Sequence, residues 1–154
     1  DNQMIVEKND TVLLSFTGKI DNGQIFKEVK VDNPLKIIIG NQELPPTVEN
    51  AITGMKEGEV KKVRITSEEG YGPRLKELVH ELPLATFGDR ITPKPGMILS
   101  QKVEKEGTQL EIPVTIVEVK NDKVTIDYNH PAAGHDLTYD ITVMKIIKNQ
   151  SDHP

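Results

Sequence analysis

Asn129-His130-Pro131-Ala132-Ala133-Gly134-His135-Asp136 runs straight into Leu137-Thr138-Tyr139-Asp140-Ile141-Thr142-Val143, and the change of character between the two stretches decides the fold. The first stretch holds proline and glycine, which break regular structure. The second alternates cleanly, with Leu137, Tyr139, Ile141 and Val143 on one side and Thr138, Asp140 and Thr142 on the other. A period of two is the mark of a strand with one buried face. The same period recurs upstream. Within 11–20, Val12, Leu14, Phe16 and Ile20 share a face, and Leu13 is the one large apolar residue opposite. Asp21-Asn22-Gly23 then signals a turn, because Asn and Gly tolerate positive φ. Leu35, Ile37 and Ile39 alternate again around Ile38, and Gly40 ends that run. A further strand is expected over 60–67, with Val63 and Ile65 inward.

One short helix interrupts the strands. Pro45-Pro46-Thr47 leads into Val48-Glu49-Asn50-Ala51-Ile52-Thr53-Gly54. Thr47 is expected to cap the first turn, Glu49 suits the positive end, and Gly54 stops the helix. Val48, Ala51, Ile52 and Met55 fall on one face, so the helix would lie across an antiparallel sheet in an α+β arrangement. After Gly70-Tyr71-Gly72-Pro73 the spacing changes. Strands are expected over 97–103, 109–119 and 123–128, with Asn121-Asp122 as a two-residue hairpin turn. The stretch 75–127 reads as a small β-domain inserted into the first, and its run Glu104-Lys105-Glu106-Gly107 reads as a solvated loop.

Composition narrows the function. The 154 residues suit one domain, or one small domain carrying an insertion. With 4 % aromatic residues and no Trp, the core must be aliphatic. No apolar run approaches the ~20 residues of a membrane-spanning helix. The absence of cysteine excludes disulfides, thiolate catalysis and thiolate metal sites. A net charge of −5 with no basic patch argues against nucleic acid as a partner. The chain starts at Asp1, which suggests a processed or trimmed form with no signal peptide left to read.

Catalytic motifs are nearly absent. There is no glycine-rich phosphate loop, serine elbow or His-Glu-x-x-His helix. His130 and His135 stand five apart in a loop and could share a metal, but a structural site wants about four ligands. Loop packing is the better reading, and no metal or cofactor is expected. His153 lies in a polar tail. Glu68 and Glu69 are adjacent and would point opposite ways on extended backbone, which favours a solvated edge. Tyr71, flanked by glycines, is either a packed aromatic or an exposed donor.

Several segments together resemble the FKBP-type peptidyl-prolyl isomerases in order and spacing. They are Ser15-Phe16-Thr17-Gly18, Asp21-Asn22-Gly23-Gln24-Ile25-Phe26, Pro34-Leu35-Lys36-Ile37-Ile38-Ile39-Gly40, Met55-Lys56-Glu57-Gly58-Glu59 and Gly70-Tyr71-Gly72. The Asn129–Leu137 segment is similar to that of the SlyD-like subgroup, in which an insert-in-flap domain replaces the tip of the flap. The resemblance covers nearly all of 10–147. It implies an α+β fold, with an antiparallel sheet wrapped on a short helix and a small β-rich domain inserted. Residues 1–73 and 128–148 would form the FKBP-like domain, 74–127 the insert, and 149–154 a tail.

The implied activity is that of a rotamase, isomerising X–Pro bonds to assist protein folding. Its catalytic set would be Tyr71, Phe26, Phe16 and Tyr139, with Tyr71 donating to the substrate carbonyl. Leu35, Ile37, Leu44, Pro45, Val48 and Ala132 would complete the substrate pocket, with Val48 as its floor. The insert would act as a chaperone through Leu78, Val79, Leu82, Phe87, Met97 and Leu99. Some positions depart from the family pattern. Lys27 stands where Asp is usual, Val48 where a larger residue is usual, Ala132 where the subgroup has Leu, and Pro45 lacks an N–H that could hold a ligand. These departures support a rival reading, a holdase or peptide-binding module whose isomerase activity is weak or lost. The expected partners are proline-containing peptides and unfolded or partly folded proteins, with no nucleic acid and no membrane, and the expected state is a monomer. The resemblance implies the cytoplasm, while the start at Asp1 leaves an exported, periplasmic form open.

Overall fold

The computed structural model describes residues 4–150. Nine strands and one α-helix follow in chain order among them. They are β1 (Thr11–Ile20), β2 (Ile25–Val29), β3 (Leu35–Ile38), α1 (Pro46–Ile52), β4 (Val60–Ile65), β5 (Val79–Pro83), β6 (Ile98–Lys105), β7 (Thr108–Lys120), β8 (Lys123–Asp127) and β9 (Leu137–Ile147). The chain divides into two compact units. One holds the described residues up to Gly72 and again from Gly134 on; the other is Pro73–Ala133.

The first unit is built on β1. Its first half pairs with β3, from Thr11↔Ile38 to Leu14↔Leu35, and its second half pairs with β2, from Phe16↔Val29 to Lys19↔Ile25. Strand β9 runs along β1 from Thr11↔Ile147 to Ile20↔Leu137 and carries β4 on its far side. Every pairing is antiparallel. The alternation read from the sequence is the burial pattern seen. Val12, Leu14, Phe16 and Ile20 are buried from β1, and Leu137, Tyr139, Ile141 and Val143 from β9. Helix α1 packs against β4 and adds Val48 and Ile52 to the core, followed by Met55.

The start of α1 differs from expectation. Pro45, not Thr47, occupies the N-cap position, and no side chain caps the first turn. Two prolines, with φ already fixed near helical values, start the helix instead. The Thr47 hydroxyl donates to the Glu69 carboxylate, so Glu69 holds the segment before Tyr71 rather than standing as a free edge charge. At the other end Gly54 has φ +91° and its N–H donates to the Val6 carbonyl at 2.8 Å.

The second unit is a four-stranded antiparallel sheet in the order β5-β8-β7-β6. Val114 and Ile116 of β7 and Val124 and Ile126 of β8 form its core. Glu106 (φ +52°) and Gly107 (φ +80°) turn β6 into β7, and Asn121 (φ +57°) turns β7 into β8. The expected strands are all present, with ends moved by at most four residues. Strands β2 and β5 are additional. Both are edge strands with few buried side chains, so neither gives a strong period-two pattern. Among the described residues no helix is long and apolar enough to cross a membrane. The expected tail from 149 is described only to Gln150, and His153 lies outside the described residues.

An ion cluster ties the end of β9 to the segment before β1. The buried Asp10 carboxylate accepts from the Glu7 N–H at 2.9 Å, the Asn149 N–H at 2.9 Å and the Lys148 ammonium at 2.6 Å. Desolvation opposes ionisation of Asp10, but the Lys148 ammonium and the two N–H donors outweigh it and hold the carboxyl below its ordinary value of 3.8. A depressed carboxyl stabilises the fold above its unfolded pKa, and that stability is lost as pH falls through the folded value. Asp10→Asn should therefore cost about 2 kcal/mol at pH 7, the scale of hydrogen bonds to a charged group. In urea unfolding the gap to the wild type should shrink steadily as pH falls below 3.8. A gap that does not change with pH would show that the charge of Asp10 is not what holds this end of β9.

Candidate active site

The chain has three Phe and three Tyr, and four of these six meet at one place. Phe16 comes from β1, Phe26 from β2, Tyr139 from β9, and Tyr71 from the turn after β4. Phe16 and Tyr139 have ring centroids 5.6 Å apart. Phe26 meets Tyr139 edge-on at 6.0 Å and Tyr71 edge-on at 5.7 Å. Edge-to-face geometry is the favourable arrangement for such pairs. Three antiparallel strands in register and one glycine-flanked turn thus bring together side chains far apart in sequence.

A cavity of about 330 Å³ opens here. Phe16, Tyr71, Tyr139, Leu35, Ile37, Leu44 and Pro45 line it, together with Lys27, Glu43 and Gly70. Of the expected pocket, Phe26 contributes through its contacts with Tyr71 and Tyr139. Two expected members are corrected. Val48 is fully buried on α1 and does not line the cavity, because its short side chain is spent in the core. Ala132 is also fully buried, in the second unit, so it offers a ligand no surface. Lys27, named in the sequence only as a departure, and Glu43, not anticipated, both line the cavity.

For Lys27 the reason lies in a β-bulge. Gly18 pairs with Lys27 but Lys19 pairs with Ile25, so Phe26 is an extra residue in β2. A bulge re-aims the side chains beside it, which the sequence pattern does not announce. Gly18 gives room for this. A Cβ built there would stand 2.8 Å from Cζ of Phe26, so the ring occupies the space a side chain would fill.

The two histidines lie in different settings. His135 Nδ1 pairs with Asp21 Oδ1 at 2.8 Å, which helps hold the Asp21 carboxyl below its ordinary value. His130 Nδ1 accepts from the Ala132 N–H at 3.0 Å and shapes the turn before Gly134. Among the described residues no three His, Asp or Glu side chains gather as a metal site requires.

In the second unit a groove of about 730 Å³ is lined by Leu82, Phe87, Ile91, Leu99, Val114, Ile126 and Tyr128, with Arg90 and Lys102 at it. Of the expected chaperone residues, Leu82, Phe87, Met97 and Leu99 pack half-buried on the core, and Leu78 and Val79 are half-buried as well. The most exposed apolar side chains of this unit are Ile98, Leu75, Leu110, Val117 and Ile91.

A family model described as FKBP-type peptidyl-prolyl cis-trans isomerase matches residues 2–144. The chain belongs to this family. It is 32 % identical to the short-type peptidyl-prolyl cis-trans isomerase of Methanocaldococcus jannaschii, across 96 % of this chain and 98 % of that one. It is 31 % identical to the FKBP-type isomerase SlyD of Vibrio cholerae, across 93 % of this chain and 69 % of that one. The FKBP-type 16 kDa isomerase of Escherichia coli is 28 % identical, with 92 % and 93 % covered. The antiparallel sheet with its short helix is the α+β fold that family membership implies.

Membership in this isomerase family fits the electrostatics of the cavity. Burial, and then the neighbouring Tyr71 phenol, push Tyr139 up to about 12. Burial also raises Tyr71. Phenols are neutral at physiological pH, and these shifts move both further from ionisation, leaving hydroxyls able to donate. A phenol raised in the folded state supports stability below its unfolded pKa of about 10, and that support is lost as pH rises through the folded value. Between pH 10 and about 12 the wild type should lose stability more steeply than Tyr139→Phe. Thermal melts of both proteins across that window check this, and parallel slopes would remove Tyr139 as the buried phenol.

Proposed function

We propose that the protein rotates X–Pro amide bonds in the aromatic cavity, and that Pro73–Ala133 is an inserted chaperone unit that holds unfolded clients. The gathering of all four aromatic side chains of the first unit, three of them lining one cavity and Phe26 packed on two of those, carries the first part. Planar amides resist rotation by about 18–20 kcal/mol because the twisted state loses resonance. The twisted amide is also less polar. An aromatic and aliphatic wall that excludes water therefore favours the twisted form over the planar one, which is differential binding of the transition state. No nucleophile, proton transfer or cofactor enters this scheme.

The roles follow from position. Phe16, Phe26 and Tyr139 enclose the prolyl ring, and Leu35, Ile37 and Leu44 extend the apolar wall. Tyr71, the exposed phenol of the set, donates to the substrate carbonyl. Pro45 contributes its ring but no N–H, so substrate is held by fewer backbone bonds, and turnover should be correspondingly modest. A protein of this kind should speed the proline-limited refolding phase of a test protein at catalytic concentration. Tyr71→Phe combined with Phe26→Ala should slow that phase by roughly 10²-fold, given how steeply rate depends on positioning. If wild-type protein leaves the phase unchanged yet suppresses aggregation, the holdase reading replaces the enzyme.

Two features support the insertion. The Gly134 N–H donates to the Gly72 carbonyl at 2.7 Å, so the two crossings of the first unit lie side by side. The second unit has its own core, and its half-buried apolar groove suits extended, apolar chain segments. Replacing Pro73–Ala133 by a short Gly/Ser link should leave the first unit folded and peptide isomerisation nearly intact. Rates on an unfolded protein should fall much further, because captured clients present their prolyl bonds at raised local concentration. Equal losses on both substrates would refute this division of labour.

A further inference from the structure

Lys27 stands in an unusual place for a lysine. The bulge opposite Gly18 puts it beside Phe26, and it lines the aromatic cavity with Phe16, Tyr71 and Tyr139. It is exposed, and among the described residues it makes no ion pair or side-chain hydrogen bond. Glu43, the other charged residue lining the cavity, is differently placed, because its Oε2 accepts from the Ile38 N–H at 2.9 Å. One charge is engaged by the backbone and the other is available to a ligand.

From this we infer that Lys27 selects X–Pro sites in which X is acidic. The inference rests on the isomerase reading of the cavity. When the prolyl ring lies among the aromatic rings, the side chain of X stays at the mouth, where an unpaired ammonium on a long stem can reach a carboxylate. Substrates with Glu or Asp before proline gain an ion pair there. Substrates with Lys or Arg meet a like charge. Such a pair is solvent-exposed, so the discrimination is modest, about two- to fivefold, and salt weakens it.

The test uses the whole 154-residue chain and three tetrapeptides of one frame with Glu, Gln or Lys before proline. The reading is kcat/KM for cis-to-trans exchange, with the Gln peptide normalising each variant. Wild-type protein should rank Glu above Gln above Lys, and 0.5 M salt should compress the order, since it shortens the screening length to about 4 Å. Lys27→Glu should invert the order and Lys27→Met should level it, while Glu43→Gln should widen the wild-type preference. Should Lys27→Glu fail to fold, Lys27→Met alone decides. A wild-type order with Lys at or above Glu, or a preference for Glu that survives both Lys27 variants, overturns the inference while leaving the isomerase intact. Absence of any acceleration on the Gln peptide overturns the isomerase reading and this inference with it.

Discussion

Strand β1 holds three partners at once, and its register is what the cavity depends on. One edge is shared between β3 and β2, and β9 occupies the other over the whole length. A slip by one residue would turn Val12, Leu14 and Phe16 from the core to solvent and break three ladders together. The same register sets Gly18 between Lys27 on one side and Tyr139 on the other. Lacking a Cβ, Gly18 lets the Phe26 ring lie over the strand, within reach of Tyr139. The aromatic cluster is thus a consequence of strand pairing and needs no separate scaffold.

A site made this way suits a reaction whose transition state is less polar than its ground state. Hydroxyls that stay neutral are more useful there than ionised groups. Phenols are neutral at physiological pH, and burial raises both Tyr71 and Tyr139 further, disfavouring the charge that would draw water into the cavity. The two charged side chains lie where they disturb this least. Lys27 is exposed, and Glu43 is engaged by backbone.

How much of this was legible in the sequence depended on burial. Strands β1, β3, β4 and β9 each bury one face, so alternation marked them, and α1 was marked by prolines before it and a glycine after it. Strands β2 and β5 lie at sheet edges and bury little, so their side chains follow solvent rather than a period. The aromatic residues gathered at the cavity were singled out because the segments holding them matched a family as a set. Lys27 drew notice only as a departure, and Glu43 none, because a bulge and the capture of a loop carboxylate by a backbone N–H arise only once the strands have paired. Val48 and Ala132 were misjudged for a related reason. Nothing in an apolar residue's identity says whether it faces a cavity or the core behind it, and both proved fully buried. Thr47 was read as a cap from its neighbours, whereas its hydroxyl goes to Glu69, distant in sequence.

The position of the second unit follows from the same pairing. It leaves the chain between β4 and β9, which are hydrogen-bonded neighbours from Val60↔Thr142 to Ile65↔Leu137. Their ends are fixed further by Ser67, whose N–H donates to Asp136 at 3.0 Å, and by the Gly134–Gly72 bond. A connection between strands held this firmly can lengthen at little cost, since each doubling of a loop adds only about 0.6 kcal/mol of closure entropy. An insertion inside β1 or β9 would break ladders on both sides. At this link none is broken, and the residues of the second unit pack on a core of their own. Tyr71 sits one residue before the crossing at Gly72, on the part of the link that the first unit keeps. The first unit therefore keeps Tyr71 whatever the link carries beyond it, and a link tied down at both ends takes added residues without breaking a ladder.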